Sequence, residues 1–347
     1  MIKYDRDRAF SIEVKDPDNF DIQEPILDSL VIGESLYLIK TNSIFRMLTA
    51  DSIDPQRTAL ETKHSYEKIY DFGCRSEYVA RVLMQAKNLA PYISNADMNK
   101  DQILSHVWNV NRLLLNCRKV VVELEEYYQD LIPKCDKIIS NNQSNDIMPA
   151  LPKVPELESK VRVFLTNAKL VLIETFKFLA LFYQIPINDK NESHFNKHLD
   201  FLSRQLGENN EIVNLLSQDM SWIRLLSECR NAIEHAGVGQ NIEIENFSIK
   251  PGNRFSPPAW TYDLTNKLEI KQGPHNLLND LDVFCSNMMH LVEDLLVLVS
   301  VEKLETHPIL GLYRLDESLI KVECPYRYDV TIKTNIVSKP VGSISET

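Results

Sequence analysis

Apolar residues recur at helical spacing through most of the chain and at two-residue spacing in a few short stretches. The clearest helical stretch is "VPELESKVRVFLTNAKLVLIETFKFLALFYQI", where Val161, Phe164, Leu165, Ala168, Leu172, Phe176, Leu179 and Tyr183 share one face. Pro155 followed by Glu156 opens it, because proline suits the first helical position, and Pro186 closes it. A short helix is predicted in "SHFNKHLDFLSRQLG", a third in "NEIVNLLSQDMSWIRLLSECRNAIEHAG" and a fourth in "HNLLNDLDVFCSNMMHLVEDLLVLVSVEKL". Upstream, "KDQILSHVWNVNRLLLNCRKVVVELEEYYQDLI" predicts a long helix, and "SEYVARVLMQAKNLAPY" a short one that stops before Pro91.

Elsewhere the period changes. Residues 1–50 alternate loosely in "FSIEVKD" and "SLYLIKTNSIFRML", which predicts short strands or a mixture of strand and helix. "DSIDPQRTALETKHSYEKI" is polar and holds a proline, so it reads as a loop leading into a helix. "NIEIENFSIKPGNRFSPPAWTYDLTNKLEIKQG" alternates around a Pro-Gly-Asn turn and a Pro-Pro pair, which predicts a β-hairpin-like insertion after the third helix. Connections that long within a compact domain are often functional. The tail alternates in "SLIKVECPYRYDVTIKT". The linker signal is strongest in "SNNQSNDIMPALPKVP", rich in Asn, Ser and Pro. These patterns divide the chain into an N-terminal α+β or helical region at 1–150, a four-helix bundle at 151–305 and a β-like extension at 306–347. The fold class expected is mainly α, and a content of only 9 glycines points the same way.

Composition narrows the function. A length of 347 residues is a prior for two domains, and 44% hydrophobic residues suffice for a sizeable core. A net charge of −11 argues against coating nucleic acid by bulk charge and leaves a local basic groove open. The six cysteines, Cys74, Cys117, Cys135, Cys229, Cys285 and Cys324, form no C-x-x-C pair, so they read as reduced and mostly buried rather than as a zinc site. "MIKYDRDRAF" lacks the apolar core of a signal peptide. The most apolar stretches are interrupted by Lys169, Glu174 and Lys177, and by Glu293 and Asp294, so no membrane association is expected and the protein reads as cytoplasmic.

The stretch with the most chemistry is "CRNAIEHAG", residues 229–237. At about 100° per residue, Trp222, Cys229 and Ile233 flank Leu226 on the core face. Arg230 sits on the flank of that face, and Asn231 and His235 are i, i+4 neighbours on the outer one. Gly237 is the expected helix stop, which puts His235 in the last turn, where the helix dipole favours a cation. Histidine is the side chain that exchanges a proton near neutral pH, and arginine is a permanent charge for a phosphate. The plainer account is a solvated helix end in which Arg230 pairs with Glu234 at i, i+4.

An Arg, a polar residue after it and a His five positions on, at the end of the third helix of a small bundle, resemble the HEPN superfamily (higher eukaryotes and prokaryotes nucleotide-binding). The motif R-x4-H reads "RNAIEH" here, and the resemblance covers about 155–305. It implies a metal-independent endoribonuclease of the toxin–antitoxin or phage-defence type, cutting single-stranded RNA through the RNA's own 2′-OH. It implies that Arg230 stabilises charge on the phosphate, that His235 is the general acid or base, that Asn231 assists, and that no cofactor is needed. It also implies a homodimer that brings two motifs together and an antitoxin or defence partner protein. The alternative is a catalytically inactive HEPN-like module that binds nucleotide or protein. Some family members carry a Tyr two residues after the His, where this chain has Gly237.

Other constellations are weaker. His194 and His198 lie at i, i+4 near Glu192 and Asp200, but spacing supplies no third ligand, so no metal site is expected. Trp260, with Arg254 upstream, is a candidate base-stacking platform, and Glu234 a candidate substrate contact. Packing of the insertion is the favoured account of Trp260, since aromatics near turns usually bury area.

Overall fold

The computed structural model describes residues 24–33, 35–94, 99–142 and 147–333, and "FSIEVKD" lies outside them. The chain forms two compact units, one of residues 1–108 and 299–347 and the other of 109–298, with the divisions inside two long helices.

The first unit begins with a four-stranded antiparallel sheet, β1 (Ile26–Ile32), β2 (Ser35–Lys40), β3 (Ile44–Leu48) and, after the short helix α1 (Ala50–Ile53), β4 (Ser65–Tyr70), in the order β1-β2-β3-β4. Register sets Leu38 opposite Phe45 and Met47 between Leu36 and Tyr66, and these five side chains form one apolar cluster. The other face carries Tyr37, Arg46 and Glu67 in a row, with Arg46 and Glu67 ion-paired at 2.5 Å. β4 replaces part of the loop expected over 51–69. Its sequence mixes polar residues with Tyr66, Ile69 and Tyr70, and it becomes a strand because β3 offers it a hydrogen-bonding edge. Gly73 lets the next residues cross the 40–43 turn: a Cβ there would lie 2.2 Å from the Lys40 carbonyl oxygen, and the Cys74 amide bonds that oxygen at 2.8 Å. A π-helical stretch, Tyr78–Met84, then runs into α2 (Gln85–Ile93). Pro91 lies inside this last helix rather than beyond its end. So near the terminus, proline removes only one backbone bond.

The second unit holds most of α3 (Lys100–Asn141), then α4 (Leu157–Tyr183), α5 (Phe195–Leu206), α6 (Glu211–Glu234) and most of α7 (Leu277–Glu305). These are the helices that the periodicity predicts, although α3 continues through Pro133. The linker-like stretch before α4 is partly held: Leu151 and Val154 are buried, and Asn246 bonds both backbone groups of Val154 at 2.8 and 3.0 Å.

Between α6 and α7 the insertion is more than a hairpin. β5 (Asn241–Glu245), β8 (Ala259–Leu264) and β9 (Ile270–Asn276) make a three-stranded antiparallel sheet, while β6 (Ser248–Lys250) and β7 (Arg254–Ser256) pair separately. In the first unit, β10 (Leu310–Arg314) and β11 (Tyr328–Ile332) make a further antiparallel pair. About 52% of the chain is helix and 21% strand, with four sheets among the described residues. The expectation of a mainly α, HEPN-like four-helix bundle is thereby overturned: the protein is a mixed α+β fold. Low glycine content misleads because turns here are also closed by Asn253 and Glu269 in the left-handed region, at φ 52° and 57°.

Among the described residues, α7 is long and apolar enough to cross a membrane, but 72% of its most apolar window is buried inside the fold. Glu293 in that helix is fully buried. None of the six cysteines is in a disulfide.

Gln85 ties the first unit's two ends of chain together. It is fully buried, its Oε1 accepts from the amides of Arg327 and Tyr328 at 3.1 and 2.8 Å, and its Nε2 donates to the Tyr328 carbonyl at 2.8 Å. Gln85→Ala should strand those groups, at about 1–3 kcal/mol for each left unsatisfied. A lower urea midpoint is the expected result; an unchanged midpoint would show that the clamp contributes nothing.

Candidate functional site

α4 and α6 run antiparallel against each other. Arg162 on α4 reaches Glu234 on α6 at 3.3 Å, and Lys169, two turns further along α4, reaches Asn231 at 2.9 Å. Both helices are lined with buried apolar residues, Phe164, Leu165, Ala168 and Leu172 on α4 and Ile223, Leu226 and Cys229 on α6. Asn210 caps the start of α6, accepting from the Ile212 amide at 2.9 Å.

The R-x4-H motif lies at the far end of α6. Arg230 is half-buried and has no hydrogen-bond or ion-pair partner among the described residues. It does not pair with Glu234, which is taken by Arg162. Asn231 is fixed on both sides: its Oδ1 accepts from Lys169, and its Nδ2 donates to Glu228 at 3.3 Å. It is therefore half-buried at the helix seam rather than on a free outer face.

His235 is exposed and caps α6 with non-helical backbone, at φ −137° and ψ 59°, while its amide still bonds the Asn231 carbonyl at 2.8 Å. The helix stops at Glu234, and Gly237 is not its left-handed cap. Instead Gly237 pairs with Gln240 across a tight turn into β5, and Gly239 takes the positive φ of 66°. Trp222 and Ile233 are half-buried rather than core, because they lie at the edges of the stripe that Leu226 and Cys229 fill.

Lys169 is the member that sequence reasoning passed over. Burial pushes its amine below the ordinary lysine range, the nearby Arg230 guanidinium pushes it further, and Glu228 and Glu192 pull the other way. Neither cation has a carboxylate ion-paired to it. Two close positive charges of this kind are a place where an oxyanion would relieve repulsion. The signal in the sequence was a lysine in the middle of an otherwise apolar helix face.

The remaining candidates fall elsewhere. Trp260 is 1% exposed, donates to Asp280 at 2.7 Å and meets Tyr262 and Phe284 edge-on, so it is a core residue and not a stacking platform. Arg254 sits on the β6–β7 pair and donates to the Pro251 carbonyl at 3.4 Å. His198 is buried against Phe176, and burial lowers its pKa. His194 begins α5. No group of three or more metal-ligating side chains is found among the described residues. No family model, curated protein or solved structure matches the chain.

The Lys169 environment makes a direct prediction. An amine whose folded pKa is depressed is penalised while it is charged, and the penalty is lifted as pH rises through that value. Wild type should therefore gain stability relative to Lys169→Met as pH rises toward the ordinary lysine range near about 10.4. NMR of 13Cε-labelled lysine should show Lys169 titrating below the other lysines; titration with or above them would remove this account of the site.

Proposed function

We propose that the Arg230–His235 site cleaves single-stranded RNA by the 2′-OH route. The observation that carries the reading is the pair of cations, Arg230 and Lys169, without a carboxylate partner, one turn from an exposed histidine. The reading keeps the chemistry implied by the R-x4-H resemblance without the all-helical fold. Arg230 and Lys169 hold the non-bridging phosphate oxygens, whose charge grows as phosphorus becomes five-coordinate. Asn231, immobilised by Lys169 and Glu228, presents polar groups beside them.

His235 handles the proton. The 2′-oxygen bonds phosphorus as its proton passes to a base, the P–O5′ bond breaks, and the 5′-oxygen leaves with a proton from an acid. The products are a 2′,3′-cyclic phosphate and a 5′-hydroxyl. The seam in this chain supplies cations for the oxyanion without metal or cofactor, in a toxin or phage-defence setting in the cytoplasm, with a partner protein restraining the enzyme.

A homodimer belongs to the proposal. Val163 and Leu170 are one heptad apart on α4, both exposed, and flank the residues that contact α6. A second copy of the chain would cover them. Light scattering should give twice the chain mass, and Leu170→Asp should lower it; a wild-type monomer at all concentrations would end the dimer reading.

The activity test is cleavage of end-labelled single-stranded RNA in EDTA. Wild type should leave cyclic-phosphate ends. His235→Ala should lower the rate by about 10²–10⁴, as for loss of a general acid or base. Lys169→Met should lower it by about 10²–10³, as for loss of an oxyanion donor. Equal cleavage by wild type and His235→Ala would defeat the assignment, and binding without cleavage would make the chain a silent RNA-binding module.

A further inference from the structure

The polar stripe of α6 does not end at Asn231. Arg224 and Ser227 lie two turns and one turn earlier on the same side of the helix, and Glu228 lies between them and Asn231. Together with the start of α5 they line a cavity of about 260 Å³. That is just under the roughly 300 Å³ at which pockets for drug-sized ligands begin, so it suits a phosphate and little more than the sugar beside it.

Several independent features of this cavity ask for an oxyanion. α5 is twelve residues long and begins at His194 without a side-chain cap. The amides of Phe195 and Asn196, in its first turn, have no carbonyl inside the helix to bond, and both residues line the cavity. Such amides and the helix dipole favour a phosphate. Ser227 is 6% exposed, lines the same cavity from the opposite helix, and its hydroxyl has no hydrogen-bond partner among the described residues. The residue is largely enclosed, yet its hydroxyl is not among the fully buried groups without a partner, so it is open to the cavity and within reach of a ligand oxygen.

Two cations, Lys197 and Arg224, are exposed at the cavity and are in no ion pair among the described residues. Glu228 is the opposing charge in the lining; its Oε2 is engaged by the Asn231 amide. With two cations, one carboxylate and the positive end of α5, the balance favours an anion.

We propose that this cavity binds a phosphate group, taking its oxygens on the Phe195 and Asn196 amides, the Ser227 hydroxyl and the Arg224 guanidinium. Resting on the nuclease reading, the phosphate is a second one of the strand that is cut at Arg230. Ser227 and Arg224 lie about 4.5 and 9 Å before Arg230 along the helix axis, at 1.5 Å per residue. A strand laid along α6 toward His235 meets the cavity first and the cutting site next. The same chemistry would also accept the phosphate of a free mononucleotide.

The test is isothermal titration of the full chain carrying His235→Ala, which keeps RNA intact. One arm uses an RNA dodecamer with a 5′-hydroxyl, the other uses 5′-adenosine monophosphate. Each is repeated with Arg224→Ala, Lys197→Ala or Ser227→Val added. Dodecamer affinity should fall about tenfold or more with Arg224→Ala and with Ser227→Val, as for the loss of one hydrogen bond to a charged group. Arg224 and Lys197 are exposed, so their variants keep the test valid if Ser227→Val does not fold. A loss confined to the mononucleotide arm supports the phosphate site and overturns its place on the RNA strand. Unchanged affinity for both probes, or binding of neither, overturns the site. Failure of wild-type cleavage with pocket-dependent binding intact would fell the nuclease reading alone.

Discussion

The hydrogen bond from Lys169 to Asn231 is the contact on which the site depends. A lysine amine carried to a helix seam loses hydration, and Arg230 close by makes its charge costlier still. The amine is retained because Asn231 gives it an oxygen and Glu228 a nearby negative charge. That arrangement joins α4 to the last turns of α6 and fixes the Asn231 amide. With Arg162 occupying Glu234, it leaves Arg230 without the intrahelical partner it would otherwise have. The polar seam sits on an apolar one, so the helices are held by burial and aligned by these few polar contacts.

The fold was legible where a single element carries its own pattern. Helical spacing located α3 to α7, since an apolar face repeats locally whatever it packs against. Strands were less legible. β4 mixes polar residues with Tyr66, Ile69 and Tyr70 without a clear alternation, and it exists because β3 pairs with it. The sheet of β5, β8 and β9 needs β8 and β9 to meet across the residues of a turn that contains no glycine. Pairing partners are a property of the assembled chain, and short polar strands announce them weakly. A helix-dominated fold was the reading that local patterns favoured, and the sheets corrected it.

Of the site, Arg230, Asn231 and His235 stand together in the sequence and remain together at the end of α6. Lys169 lies 62 positions from Asn231, and no spacing rule links them. Ser227 and Arg224 were readable as members of one helical face, but not as cavity walls, because the opposite wall comes from α5. Trp260 shows the reverse case: an aromatic beside turn residues reads as packing or as a platform, with packing favoured, and Asp280 and Phe284 enclose it.

The sequence by itself determined the helices and the Arg–Asn–His cluster at a helix end, because each is written in residues a few positions apart. The tertiary structure alone decided which charges are paired and which are left free. Pairing turns on distances of about 3 Å between side chains far apart in the chain, and on the burial that raises the cost of any charge left without a partner. Arg230 and Glu234 are ordinary i, i+4 neighbours in the sequence; in the fold, Arg162 has taken the glutamate, and the arginine is left without an ion-pair partner among the described residues.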